Sequence, residues 1–112
     1  MTTPTPTPVL SLATRATAAG PVIEAAGQLD YDTAPRMRAA ITAVLNSVPA
    51  PPTVDLDLAH LTFCDSSGLT ALIHARNEAA QAGTQLRLGA VSANVTDLLA
   101  LTGAQALFPS AA

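Results

Sequence analysis

The apolar positions of this chain switch repeatedly between a two-residue and a helical period. Val9, Leu10 and Leu12 mark a short strand over 9–14, and Gly20-Pro21 breaks the chain before it resumes at Val22. From Val22 to Leu29 the spacing puts Ile23, Ala25 and Leu29 on one face and Glu24 and Gln28 on the other, so the two segments read as a hairpin. A helix over 33–46 follows. Asp32 or Thr33 is available as its cap, Pro35 is tolerated in its first turn, and Met37, Ile41, Val44 and Leu45 form one stripe. Pro49, Pro51 and Pro52 forbid its continuation. Thr53 to Leu58 then alternates strictly, Val54, Leu56 and Leu58 against Asp55 and Asp57, which predicts a strand with both acids turned to solvent.

A second helix, 67–82, opens out of Asp65-Ser-Ser-Gly68, has Leu69, Leu72, Ile73 and Arg76 on its inner stripe, and ends at Gly83. Gln85 to Gly89 is a further strand. Ser92 caps a third helix, 93–102, with Val95, Leu98 and Leu99 inward and Gly103 as its stop. Leu107-Phe108-Pro109 reads as a last short strand. The order β-β-α-β-α-β-α-β predicts an α/β fold: a mixed, mostly parallel sheet of four to five strands led by an N-terminal hairpin, with helices packed on it. Residues 1–8, which alternate Thr and Pro, read as a disordered tail, and 9–112 as one domain.

Composition narrows the function. With 112 residues, 49% of them hydrophobic, the chain can bury a core without disulfide or metal. Its net charge is −3, from five arginines, no lysine and eight acids. That balance excludes the cationic face that direct nucleic-acid binding needs and a polybasic membrane surface. One cysteine, no basic-apolar leader and no apolar run near the ~20 residues of a membrane span predict a soluble, cytoplasmic protein.

Chemistry is concentrated in Leu61-Thr-Phe-Cys-Asp-Ser-Ser-Gly-Leu69, where small polar residues lead from a strand into a helix. The plain reading is capping, because Asp and Ser satisfy the orphan amides of any helix start. Such a start also tolerates an anion. Nucleophilic catalysis fits poorly: the Gly-x-Ser-x-Gly frame is absent, and His74 lies seven residues after Ser67, about 10.5 Å along a helix axis. His60, in the loop before it, has no such spacing argument against it. No ligand spacing suits a metal, no phosphate-cradling loop exists, and no cofactor is implied. Asp30 and Asp32 read as a turn acid and a helix cap. The chain is expected not to be an enzyme.

Two segments in register carry a resemblance. Gly27-Gln-Leu-Asp-Tyr-Asp-Thr-Ala34 resembles the Gly-x-Leu-Asp-x-x-Thr-Ala motif of STAS domains, and Asp57-Leu58 with Asp65-Ser-Ser-Gly-Leu69 resembles their second motif. Gly83, the following Leu-x-Leu strand and Leu98-Leu-Ala-Leu-Thr-Gly103 also fall where that family has them, so the match covers roughly 9–109. The subfamily it is most similar to is the bacterial anti-sigma factor antagonists. The resemblance implies a protein that binds an anti-sigma factor serine kinase, so freeing a sigma factor, and that is inactivated by phosphorylation at Ser67 and restored by a serine phosphatase. It implies Asp30, Asp65, Ser66 and Gly68 as partner-binding neighbours of the phosphosite, with Ser66 as a cap or contact. The alternative it leaves open is a STAS scaffold subunit, of a signalling assembly or of a lipid-transport complex. Three departures accompany the match: the usual C-terminal fourth helix is missing, Asn94 and Asp97 stand where many members carry proline and a basic residue, and the Thr-Pro tail is extra.

Overall fold

In the computed structural model, which describes residues 9–111, strand β1 (Leu10–Thr17) and strand β2 (Gly20–Leu29) form the antiparallel hairpin, in register from Leu10 opposite Gly27 to Thr17 opposite Gly20. The expected tail, 1–8, lies outside the described residues. Both strands are longer than the apolar pattern suggests, and Gly20-Pro21 begins β2 rather than interrupting the sheet. The Thr17 hydroxyl closes the turn, donating to Gly20 O at 2.6 Å and accepting from Ala19 N at 3.2 Å.

Helix α1 (Ala34–Leu45), strand β3 (Thr53–Cys64), helix α2 (Ser66–Gln81), strand β4 (Gln85–Val91) and helix α3 (Ala93–Thr102) follow in the predicted order. β3 pairs parallel with β2 and β4 parallel with β3, giving a four-stranded mixed sheet in the order β1-β2-β3-β4. The alternation in β3 works as expected: Val54, Leu56 and Leu58 are fully buried, and register sets Ile23 beside Leu56 and Leu86 beside Val54. Met37 and Ile41 of α1 and Leu72 of α2 close the core over them, so the helical stripes and the strand alternation describe one interior.

The opposite sheet face is polar, but Asp55 is not simply solvated there. Arg87, its neighbour across β3 and β4, grips it with two bonds, Nε to Oδ1 at 2.7 Å and Nη2 to Oδ2 at 3.0 Å. Those hydrogen bonds raise the guanidinium pKa further above its usual range, against the desolvation of its setting.

Strand β3 also runs past the end of its alternation at Leu58, as far as Cys64. The pairing register shifts after Leu56 on the β4 side and after Glu24 on the β2 side, and Asp57 Oδ1 accepts from Ala59 N at 3.1 Å at that irregularity. The extra residue moves the buried parity from Leu58 to Leu61, which is why the pattern looks like a strand end. His60 therefore stands within the strand, paired with Ala26 and exposed, rather than in a loop.

The expected last strand does not form among the described residues. Gly103 takes φ 74°, a 3₁₀ turn spans Ala104–Leu107, and Phe108 is buried in the core. Beyond it there is a parallel bridge between Leu88 and Ser110, with Leu88 N donating to Pro109 O and Ala111 N to Leu88 O. Ala104 and Phe108 are both buried with the 3₁₀ turn between them, and residues held in that turn cannot pair as a strand.

Candidate functional site

The C-terminal ends of β2 and β3 are adjacent in the sheet, Leu29 beside Cys64, so the two motif loops emerge side by side. In the first, Gly27 adopts φ 104°, and a β carbon there would collide with the Val9 carbonyl oxygen. Glycine is required both by conformation and by space. Asp30 then folds the loop on itself: its Oδ1 accepts from Asp32 N at 3.0 Å and Thr33 N at 3.1 Å. Thr33, only 3% exposed, receives Asp30 N at 2.9 Å on its hydroxyl and donates that hydroxyl to Gln28 O at 2.9 Å. α1 starts on this turn, with Pro35 in its first turn.

In the second loop Asp65 is the cap of α2. Its Oδ1 accepts from Gly68 N at 3.0 Å, and its own N–H donates to Leu29 O at 3.3 Å, tying the two loops together. Ser66, expected as a cap or contact, is not the cap: it is the first helical residue and is exposed. Ser67 is the second and is half-buried. Neither serine hydroxyl has a hydrogen-bond partner among the described residues, so each is available for chemistry. Gly68 is buried where the first turn of α2 touches β2: a β carbon there would lie 2.7 Å from Leu29 O and 3.0 Å from Cys64 Sγ. Cys64 itself is half-buried, and burial, helped by the Asp65 carboxylate, pushes its thiol up to about 11. It is a protonated packing group, not a nucleophile.

Between α1 and α2 the site opens into a groove of about 730 Å³. Tyr31, Asp32 and Arg38 line it from the α1 side, and Ser66, Ser67 and His74 from the α2 side. Four of the five residues named from the sequence, Asp65 to Gly68, form the cap and first turn of α2, and two of those, Ser66 and Ser67, reach the groove. Asp30 supports the neighbouring loop through its turn and does not line it. Sequence reading missed Tyr31, Arg38 and Phe63 as surface features. Tyr31 is 79% and Phe63 46% exposed on the same end of the sheet. A tyrosine between two aspartates and an aromatic that breaks the β3 parity are signals that could have found them. Among the described residues no group of three or more His, Cys, Asp or Glu side chains could hold a metal ion, and no helix is long and apolar enough to cross a membrane.

A family model described as "Mlab, STAS domain" matches residues 12–109. The chain belongs to the STAS domain family, with the two motif loops at the end of its sheet. No curated protein matches it in sequence. Among solved structures it is similar to an anti-sigma factor antagonist from Mycobacterium paratuberculosis, with TM-score 0.78 and 25% identity over 90% of this chain and 84% of that one. It shares its fold with SpoIIAA, an anti-sigma factor antagonist and Bacillus cell fate determinant. The unphosphorylated form gives TM-score 0.72 at 22% identity (91% and 89% covered), and the phosphorylated form 0.67 at 21% (91% and 92% covered). The fold also occurs within the murine anion transporter Slc26a9, at TM-score 0.68 and 21% identity, covering 80% of this chain and 16% of that one.

Proposed function

We propose that this protein is a cytoplasmic anti-sigma factor antagonist without catalytic activity of its own. It binds an anti-sigma factor that is a serine kinase, releasing a sigma factor, and phosphorylation of Ser67 switches it off. The observation that carries this reading is the unpartnered Ser67 hydroxyl in the lining of the groove, two residues after the Asp65 cap. In the transfer, Ser67 Oγ bonds to the γ-phosphorus of ATP as the bond to ADP breaks, and the hydroxyl proton is released. A serine phosphatase reverses the change by hydrolysis. Each phosphate brings about −1.5 to −2 charges and a group far larger than a hydroxyl. Placed in the surface that meets the partner, a loss of about 3 kcal/mol weakens binding more than a hundredfold.

Support comes from the similarity to antagonists, one of them solved in both phosphorylation states. Titration calorimetry against a cognate kinase-type anti-sigma factor tests the reading. Ser67→Ala should bind and resist modification, Ser67→Asp should bind more weakly, and mapping after incubation with ATP should find phosphate on Ser67. Phosphate on Ser66, or equal affinity of modified and unmodified protein, overturns it. The description of the family model and the occurrence of the fold in an anion transporter favour one other reading, a STAS subunit of a transport complex. That role predicts an assembly indifferent to Ser67→Asp.

A further inference from the structure

The five arginines of the chain are all among the described residues, and four of them are firmly engaged. Arg15 pairs with Glu24 at 2.5 Å and Arg87 with Asp55 at 2.7 Å. Arg36 donates to Leu10 O at 2.7 Å and Arg76 to Leu107 O at 2.9 Å. Arg38 alone is loosely held, 3.9 Å from Glu78 Oε1 with 45% of its side chain exposed, while the other Glu78 oxygen accepts from Thr42 Oγ1 at 2.6 Å. Arg38 is also the arginine that lines the groove containing Ser67.

Helices α1 and α2 each leave the C-terminal end of one of two parallel strands, so they run the same way. The Thr42–Glu78 bond fixes their relative height, and one turn back along each sets Arg38 level with His74. The Arg38 guanidinium rests toward Glu78, so reaching Ser67 means leaving that contact and swinging toward the N-terminal end of α2, the direction in which helical side chains lean. His74 lines the same wall and has no hydrogen-bond partner among the described residues. The opposing charge in the groove is Asp32, an exposed carboxylate on the α1 side.

We propose that the phosphoryl group on Ser67 is received within the same molecule by Arg38, across the α1–α2 groove, with His74 as a second donor. This rests on the reading of Ser67 as the phosphosite and assigns what happens after the transfer. Guanidinium is the side chain whose fork matches phosphate oxygens, and an exposed 3.9 Å contact to Glu78 costs little to give up. The phosphorylated groove is then bridged from wall to wall, and the partner loses both the Ser67 surface and the groove beside it.

The test uses the 112-residue chain with phosphoserine genetically encoded at position 67, so it does not depend on any kinase recognising it. Phosphorus NMR titration reads the second phosphoserine pKa, ordinarily about 6. In the otherwise wild-type protein it should be lowered by roughly half a unit to one unit, because a nearby cation favours the dianion. Arg38→Gln should return most of that shift and His74→Gln part of it, while Arg15→Gln, on the far hairpin, should leave it unchanged. Thermal melts give a second readout: phosphorylation should raise Tm in wild type and not in Arg38→Gln. A phosphoserine pKa and Tm indifferent to Arg38→Gln overturn the proposal, even if Ser67→Asp still weakens partner binding. Failure of the antagonist reading would show instead in the calorimetry, with the NMR shift intact.

Discussion

Gly68 faces Leu29 so closely that a β carbon on it would stand 2.7 Å from the Leu29 carbonyl oxygen and 2.8 Å from its Cγ. That contact seats α2 on β2 and brings the capping Asp65 onto the Leu29 carbonyl. In an exposed helix, Gly→Ala stabilises by about 1 kcal/mol. Here the sign should reverse. Gly68→Ala is expected to destabilise by about 1–3 kcal/mol, since a strand carbonyl cannot move aside. Urea unfolding measures it, and Asp65→Ala in the same series should lose about 1 kcal/mol as a missing cap.

Thr33 pins the neighbouring loop. Replacing it with valine preserves shape but leaves Gln28 O and Asp30 N without the hydroxyl that bonds them. A loss of about 1–3 kcal/mol in urea unfolding is expected. Ala43, exposed on the outer face of α1, has no such bond to lose, so Ala43→Gln should stay within about 0.5 kcal/mol of the wild type.

Cys64 gives a pH-dependent prediction. Its thiol pKa is pushed up from an ordinary 9.0 to about 11, first by burial and then by Asp65. At pH 8 the native protein therefore holds about a hundredfold less thiolate than the unfolded chain, and iodoacetamide should label it correspondingly slowly until urea is added. Linkage has a definite sign. The folded pKa lies above the unfolded one, so the native state holds the extra proton between them, and the contribution to stability is full below pH 9 and falls away as pH rises toward 11. Cys64→Ala should flatten that alkaline decline.

Tyr31, which lines the groove, and Phe63, at the same end of the sheet, expose large aromatic surfaces. Aromatic side chains of this kind carry binding energy at protein interfaces. If the proposed partner binds at this end of the sheet, Tyr31→Ala and Phe63→Ala should each cost more than about 1 kcal/mol in affinity for the proposed anti-sigma factor partner. Their unfolding free energies should change by no more than about 0.5 kcal/mol, because little of either contact is made within the fold. Calorimetry and urea unfolding of the same samples separate the two effects.

The sequence by itself determined the class and order of the elements from β1 to α3, because their apolar residues meet one face at a regular period: Met37, Ile41 and Leu45 in α1, Val54, Leu56 and Leu58 in β3, Val95 and Leu99 in α3. It also determined where the two loops carrying Gly27 and Asp65-Ser-Ser-Gly68 fall, since turn glycines and caps are local chemistry. What lies beyond the Leu58 parity break was decided only by tertiary pairing, which continues β3 through a register shift to Cys64 and lifts His60 into the sheet. The end of the chain was decided the same way, by the burial of Ala104 and Phe108 rather than by strand propensity. Asp55 was read from alternation as solvated, and only the β3–β4 register could bring Arg87 against it. The groove is tertiary for the same reason: periodicity reports which face of a helix is apolar, but not which residues of a second helix stand across from it, so Arg38 and Ser67 share a wall-to-wall space that no spacing along the chain reveals.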